Sequence, residues 1–170
     1  MSQGAGSDIF SETTKEQIDF IKKKYVGKKL GFTCSCFDIL HCGHAIMLED
    51  ASKNCDVLVI GLQTDPTLDR AEKNKPVQSY DERKIMINAI KYVDEVIEYA
   101  TESDLLNILV YLNPDVRVLG TDWNGKEYTG HHLEIPIHWH RRDHNWSTSY
   151  LRKRVAYAEE RKRLDKLGSS

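Results

Sequence analysis

The 170-residue sequence lacks three features that would each fix a class of protein. No apolar run approaches the roughly 18 residues that a membrane-spanning helix needs. The net charge of -2 leaves no basic excess for general nucleic-acid binding. The first residues, MSQGAGSDIFSETTKEQ, contain neither the basic nor the apolar region of a secretory signal. We therefore expect a cytoplasmic protein with neither a nucleic-acid partner nor a membrane partner.

Cysteine is also scarce, and its distribution is uneven. Three of the four cysteines, Cys34, Cys36 and Cys42, crowd one segment, and Cys55 follows. Few cysteines for this length, most of them in one segment, suit reduced thiols better than a disulfide framework. We predict no disulfides, and with 40% hydrophobic residues the chain is long enough for a single core.

Apolar segments with strand spacing alternate with segments of helical spacing. Five strands are predicted at 29–36, 56–62, 94–100, 116–120 and 135–140. Helices are predicted at 11–26, at 42–53, behind caps at Ser79 and Thr101, and from Ser147 onward. This alternation predicts an α/β fold with right-handed crossovers and a mainly parallel five-stranded sheet flanked by helices.

The chain is predicted to hold one domain. Residues 28–156 are assigned to that domain, residues 1–27 to a polar extension with a short helix, and residues 157–170 to the end of the last helix and a tail. Residues 1–10 are small and polar, so we expect them to be disordered.

The stretch CFDILHCGHAIML, residues 36–48, lies where the first strand turns into a helix. In parallel sheets, ligands bind beyond the carboxyl ends of the strands. A helix start offers free N–H groups to an anion, and residues three apart share a face, so His41 and His44 would point together at a bound group. Gly43 between them would let a bulky group approach the backbone. The alternative is that both histidines only pack.

A zinc site built from His41, His44 and the three nearby cysteines is a further alternative. Tetrahedral zinc takes four convergent ligands, commonly in paired knuckles. Cys34 and Cys36 lie instead on one face of the predicted strand, with one residue between them, and this favours buried cysteines.

The loops that follow the other strands carry cations, hydroxyls and a few carboxylates. These side chains are Lys73, Lys75, Asp122, Trp123, Arg141, Arg142, Ser147, Thr148 and Ser149. The mixture suits a phosphate ester with a divalent metal better than it suits an acyl-transfer or hydride-transfer site.

Four blocks of the sequence resemble one family. CFDILHCGH (36–44) looks like the T-F-D-x-x-H-x-G-H segment of the cytidylyltransferase group of nucleotidylyltransferases, especially glycerol-3-phosphate cytidylyltransferase. SYDERKIMINAIKYVDEVI (79–97), VLGTDWNGKEY (118–128) and RDHNWSTSYLRK (142–153) are similar to its later blocks in order and spacing. The resemblance covers about residues 29–155 and implies a Rossmann-like fold, usually a homodimer, that joins a nucleoside triphosphate to a phosphorylated alcohol with magnesium.

The resemblance also implies a role for each matching residue. The implied catalytic residues are His41, His44, Lys75 and Arg142. The implied nucleotide-binding residues are Cys36, Phe37, Gly43, Gly120, Asp122, Trp146, Ser147, Thr148 and Ser149. Lys73, Arg83 and Asp38 are expected to bind the acceptor, although Arg83 could instead pair with Asp81 or Glu82, and Asp38 and Asp122 are expected to hold Mg²⁺.

Five residues stand where the family has other residues: Ser35, Cys36, Asp143, Asn145 and Trp146. Asp143 and Trp146 would alter the pocket that receives the base or the acceptor. The leading expectation is a cytidylyltransferase that joins CTP to glycerol-3-phosphate. The alternatives are another acceptor (phosphocholine, phosphoethanolamine, a polyol phosphate or a sugar-acid phosphate), an adenylyltransferase, and a nucleotide-binding regulatory module without turnover.

Overall fold

A computed structural model describes residues 11–169 of the chain. The predicted disorder of residues 1–10 lies outside the described residues. Helices and strands alternate as predicted: α1 (Glu12–Lys24), β1 (Leu30–Ser35), α2 (Cys42–Ser52), β2 (Val57–Gln63), α3 (Tyr80–Asn88), β3 (Glu95–Tyr99), α4 (Glu102–Leu112), β4 (Val116–Gly120), β5 (Ile137–His140) and α5 (Thr148–Gly168). The last strand begins two residues later than predicted, since Pro136 has no N–H to donate to a sheet.

The strands form one five-stranded sheet in the order β3-β2-β1-β4-β5, and every pairing is parallel. The predicted fold class, a Rossmann-like parallel sheet flanked by helices, is confirmed. The chain adds β2 and β3 on one side of β1 and then returns to place β4 on its other side. The order therefore reverses between β1 and β4, and a ligand crevice is expected at their carboxyl ends.

Each face of the sheet is covered by helices over a buried apolar cluster. On one face α1 and α4 cover Phe32, Val59 and Ile97. On the other face α2 and α3 cover Leu58 and Ile60. Because parallel sheets are buried on both sides, this arrangement explains why the predicted strands read as nearly continuous apolar runs.

The first helix, predicted as part of a polar extension, packs against α4 and β3. Ile18 and Ile21 are 0% exposed, and full burial of one such side chain stabilises a fold by about 1.5–3 kcal/mol. The last helix differs, since each of its residues is at least partly exposed. Within residues 11–169, no helix is long and apolar enough to span a bilayer.

Candidate active site

A cavity of about 790 Å³ opens in the crevice between β1 and β4. This volume lies in the range of small-molecule sites. Eight of the predicted site residues line it: Cys36, Phe37, Asp38, His44, Lys73, Arg142, Thr148 and Ser149. Residues separated by more than 100 positions in the sequence thus meet at one edge of the sheet, as the resemblance implies.

The two motif histidines cap the first turn of α2. Nδ1 of His41 accepts from the backbone N–H of Gly43 at 3.1 Å, and Nδ1 of His44 accepts from the backbone N–H of His41 at 3.3 Å. The rings stack with centroids 3.9 Å apart. Because each neutral ring has its lone pair on Nδ1, each carries its proton on Nε2. The helix cap therefore leaves two Nε2–H donors for a ligand or a neighbouring side chain.

Both imidazoles are neutral at physiological pH. Burial, together with the nearby His41 and Arg142, lowers the pKa of His44 to about 3. Burial, Arg142 and His144 likewise lower the pKa of His41. Neutral His44 can therefore donate a hydrogen bond to a phosphate oxygen, whereas the Nε2–H of His41 lies within hydrogen-bonding distance of Thr148.

Gly43 is required by the packing of two imidazoles. A Cβ at this position would lie 2.9 Å from Cε1 of His41 and 3.0 Å from Cε1 of His144. Contacts this short force a shift of one ring or of the helix start. The bulky group that approaches this glycine is thus, in the described part of the chain, a pair of histidines.

Thr148, at the start of α5, joins that helix to the motif. Its Oγ1 lies 3.3 Å from Nε2 of His41 and donates to the carbonyl of Asp38 at 3.3 Å. Since Nε2 of His41 carries the proton, Thr148 accepts from it. Ser147 precedes it as the N-cap of α5, and its side chain accepts from the N–H of Tyr150. The helix starts of α2 and α5 therefore converge on one site.

Asp38 holds a loop of the chain in place. Its two carboxylate oxygens accept from the N–H groups of Val77 and Gln78 at 3.0 and 2.9 Å, and the Arg152 guanidinium lies 3.7 Å away. Asp38 is 6% exposed and lines the cavity. The structure thus gives Asp38 a positioning role, and its acceptor and magnesium roles stay predictions. Phe37, with φ of 49°, occupies the left-handed region beside it and packs its ring against His44.

Arg83 is also structural. It is 1% exposed, and its guanidinium donates to the backbone carbonyls of Cys36 at 2.8 Å and Gln63 at 2.6 Å, and to those of Thr64 and Gln78. It does not line the cavity. The expected pairing of Arg83 with an acceptor is replaced by a clamp between the carboxyl ends of β1 and β2.

The two lysines of the loop after β2 lie in different places relative to the cavity. Lys73 lines the cavity, whereas Lys75 is exposed and outside its wall, with its carbonyl accepting from Arg152. On the opposite rim, Arg142 faces Asp122 at 3.8 Å, and Asp122 lies close to Gly120. Trp146 is 42% exposed and packs near the ring of His144 rather than in the cavity wall.

The described residues contain no cluster of three or more His, Cys, Asp or Glu side chains that could hold a metal. All four cysteines are free thiols, and burial raises the pKa of Cys34 and Cys36. Convergent zinc ligands are therefore not present among residues 11–169. A magnesium ion would have at most an isolated carboxylate, such as Asp122, together with oxygens of a bound phosphate.

Sequence reasoning missed several polar residues at the site. Nε2 of His144 is buried beside the motif and has no hydrogen-bond partner within residues 11–169. Arg117, Glu102 and Tyr128 line the cavity, although none of them belongs to the predicted site. Arg117 stands inside the apolar strand pattern VRVLG, and a charge in a buried strand was the signal that could have found it.

Fold and site together define a nucleotidyltransferase-type α/β domain. A family model described as cytidylyltransferase-like matches residues 32–154. The chain belongs to this cytidylyltransferase-like family.

Similar proteins extend this assignment. The chain is 37% identical over 116 residues to the bifunctional protein HldE of Campylobacter concisus, covering 68% of this chain and 24% of that protein. It is 40% identical over 105 residues to HldE of Campylobacter fetus, covering 61% of this chain and 23% of that protein. The chain thus spans about a quarter of the length of these curated relatives.

Solved structures agree on the fold. The lipopolysaccharide core biosynthesis protein of Thermoplasma volcanium matches with a TM-score of 0.56 and 26% identity, over 71% of this chain and 100% of that one. Pantoate-beta-alanine ligase of Francisella tularensis matches with a TM-score of 0.55 over 77% of this chain and 66% of that one. At 15% identity the second likeness concerns the fold alone.

Proposed function

We propose that this chain transfers an adenylyl group from ATP to a phosphorylated sugar and releases pyrophosphate. The observation that carries the proposal is the pair of neutral, stacked imidazoles at the start of α2, each with an Nε2–H donor. The likeness to HldE proteins and to a lipopolysaccharide core biosynthesis protein supports a sugar acceptor and the adenylyltransferase alternative over glycerol-3-phosphate cytidylyltransferase.

The reaction is a displacement at the α-phosphorus. An oxygen of the acceptor phosphate forms a bond to that phosphorus, and the bond to the β-phosphate oxygen breaks, so pyrophosphate leaves with the electron pair. Negative charge gathers on the equatorial and leaving oxygens, and catalysis consists mainly of positioning and electrostatic stabilisation. His44 donates from the cavity wall, and Arg142 supplies the positive charge on the rim.

A bound Mg²⁺ would neutralise part of that charge through the triphosphate oxygens, which it prefers as ligands. Asp122 is the candidate carboxylate, since Asp38 is committed to backbone amides. Lys73 is proposed to contact the phosphates from the loop after β2, because it already lines the cavity. Lys75 would have to move to reach them.

The aromatic pair beside the motif supports a large base. The rings of His144 and Trp146 lie 4.9 Å apart at 32°, and Trp146 is partly exposed. Such a surface stacks favourably on a purine. We therefore place the base near the start of α5, where Ser147 and Ser149 offer further donors.

A second candidate is the transfer of cytidylyl from CTP to glycerol-3-phosphate, which the sequence predicts. The match to the cytidylyltransferase-like family is the observation that supports this candidate. The decisive experiment measures pyrophosphate release from ATP and CTP, each with glycerol-3-phosphate, phosphocholine and sugar 1-phosphates. Turnover with ATP and a sugar phosphate supports the proposal, turnover with CTP supports the second candidate, and nucleotide binding without any turnover supports a regulatory module.

A homodimer is proposed as the working form. The exposed part of α5 presents apolar side chains, with Val155 54%, Tyr157 65% and Leu164 50% exposed. A second copy could cover them and so remove apolar surface from water. Light scattering of the purified chain tests this, and a monomer at all concentrations rejects it.

A further inference from the structure

A second polar cluster lines the same cavity on the side of α4. It consists of Arg70, Glu102, Arg117, Tyr128 and Thr129. Glu102 pairs with Arg70 and accepts from the hydroxyl of Thr129. These groups lie apart from the helix starts that hold the motif histidines. The proposed reaction assigns them no role.

Arg117 is the unusual member of this cluster. It is 3% exposed, donates from Nη1 to the carbonyl of Thr129, and lies over the ring of Tyr128 with Cζ 5.4 Å from its centroid. Its Nε is buried and has no hydrogen-bond partner in the described range 11–169. No carboxylate of those residues comes within 4.0 Å of its guanidinium. A buried cation without a counterion is costly, so such a group signals an anion that arrives from outside.

The carboxylates nearby have other partners. Glu102 pairs with Arg70, and Asp69 accepts from the backbone N–H of Glu102. Glu127 also lines the cavity, and neither it nor Asp69 forms an ion pair with Arg117 among the described residues. An arginine fork with a free Nε suits a carboxylate or phosphate, whose oxygens it can meet in pairs.

The position of Arg117 separates it from the triphosphate. It pairs in register with Phe32, whose side chain belongs to the core under α1 and α4. His44 belongs to α2, which covers the opposite face of the sheet and packs its Leu48 in one apolar cluster with Leu58 of β2. The cavity therefore connects the proposed phosphate-binding end on one face with the end that holds Arg117 on the other.

We propose that the acceptor carries a second anionic group, besides the phosphate that reacts, and that Arg117 binds it. The acceptor class is thus a sugar bisphosphate or a phosphorylated sugar acid. This inference rests on the proposed function, since it describes the acceptor of the same site. Tyr128 and Thr129 hold the arginine in place, and they orient it toward the cavity.

The test uses the full chain without nucleotide and measures binding by calorimetry. The probes are glucose 1-phosphate, glucose 1,6-bisphosphate and glucuronic acid 1-phosphate, which differ at one end of the sugar. Glucose 1,6-bisphosphate and glucuronic acid 1-phosphate each carry a second anionic group. We expect at least one of these two sugars to bind at least tenfold more tightly than glucose 1-phosphate. The sugar that binds more tightly shows whether Arg117 binds a phosphate or a carboxylate. Equal affinities, or no binding by either of these two sugars, would overturn the inference.

Substitutions of Arg117 test whether this residue causes the difference in affinity. Arg117→Met should abolish the tenfold difference, and Arg117→Lys should keep part of it because the charge remains. A difference that survives in folded Arg117→Met overturns the inference. If Arg117→Met does not fold by circular dichroism, the comparison of sugars on the unmodified chain and on Arg117→Lys decides.

Pyrophosphate release separates this inference from the proposed function. If ATP and glucose 1-phosphate turn over as fast as ATP and either of the other sugars, the proposed function stands and the role of Arg117 falls. If none of the sugars turns over while the binding difference depends on Arg117, the anion site stands and the proposed function falls.

Discussion

The hydroxyl of Thr148 lies 3.3 Å from Nε2 of His41 and so joins the start of α5 to the start of α2 across 107 positions of the sequence. Thr148 also donates to the carbonyl of Asp38. A single hydroxyl therefore fixes both the motif turn and one motif ring. Its removal tests whether this junction matters for turnover.

Thr148→Val removes the hydroxyl and keeps the shape of the side chain. We expect kcat/KM to fall about fivefold, because the ring loses an anchoring hydrogen bond that contributes about 1 kcal/mol. The measurement is steady-state pyrophosphate release. Thr148→Ser is the matched control and should retain most of the activity. A loss in Thr148→Ser with little loss in Thr148→Val would show that the methyl group, and not the hydroxyl, is needed.

The low pKa of His44 predicts a pH-dependent stability. Unfolded histidine binds a proton near pH 6.5, whereas burial, His41 and Arg142 keep the folded pKa at about 3. The unfolded state therefore takes up a proton first, so the stabilisation by neutral His44 is complete above pH 6.5 and is lost as the pH falls toward 3. Between pH 7 and pH 5 this should lower the free energy of unfolding by about 2 kcal/mol.

The matched variant for that experiment is His44→Gln. Glutamine at the third helical position can still accept from the cap N–H, but it does not titrate. Urea unfolding at pH 7 and pH 5 should show a smaller fall for the variant than for the unmodified chain. An equal fall in both proteins would mean that other groups cause it.

Gly43→Ala adds a methyl group between two imidazoles. The new carbon would lie 2.9 Å from one ring and 3.0 Å from the other, so His41 or His144 must shift. We expect a lower melting temperature and a loss of activity greater than tenfold, since overpacking of this kind costs about 1–3 kcal/mol. Cys42→Ala, at the exposed neighbouring position, is the control and should change neither quantity appreciably.

Arg83→Met distinguishes a structural clamp from a substrate ligand. The variant leaves the carbonyls of Cys36, Gln63 and Thr64 without their donor. We expect at least about 3 kcal/mol less stability in urea unfolding, because buried polar groups lose their partners. A stable variant whose KM for the acceptor has risen tenfold would restore the acceptor role.

The sequence was sufficient for the strands, the helix caps and the convergence of the motif histidines with Thr148. Local signals decide these features: apolar runs, S-x-x-E caps, and the rule that loops after parallel strands share an edge. The roles of Asp38 and Arg83 could not be obtained in this way. Apart from Gln78, which precedes Arg83 by five positions, their backbone partners are about 20 to 47 positions away. Only the folded chain brings a carboxylate to two amides or a guanidinium to several carbonyls.

Arg117 lies in a strand that the sequence predicts, but its place in the cavity could not be predicted. Its neighbours in sequence indicate a buried strand, and the strand forms as predicted from Val116 to Gly120. A buried strand position says nothing about a cavity at the end of that strand, which depends on how Tyr128 and Thr129 fold back over it. The charge was visible in the sequence, but its surroundings were not.

The use of both Nδ1 atoms in the helix cap has a consequence for the origin of the chemistry. In many enzymes a nearby carboxylate selects the tautomer of a working histidine, and its loss disables the site. Here the main chain makes that selection, so the proton positions are set when the first turn of α2 winds. Formation of one helical turn therefore also places the proton on Nε2 of both histidines. The motif needs no neighbouring carboxylate for this purpose.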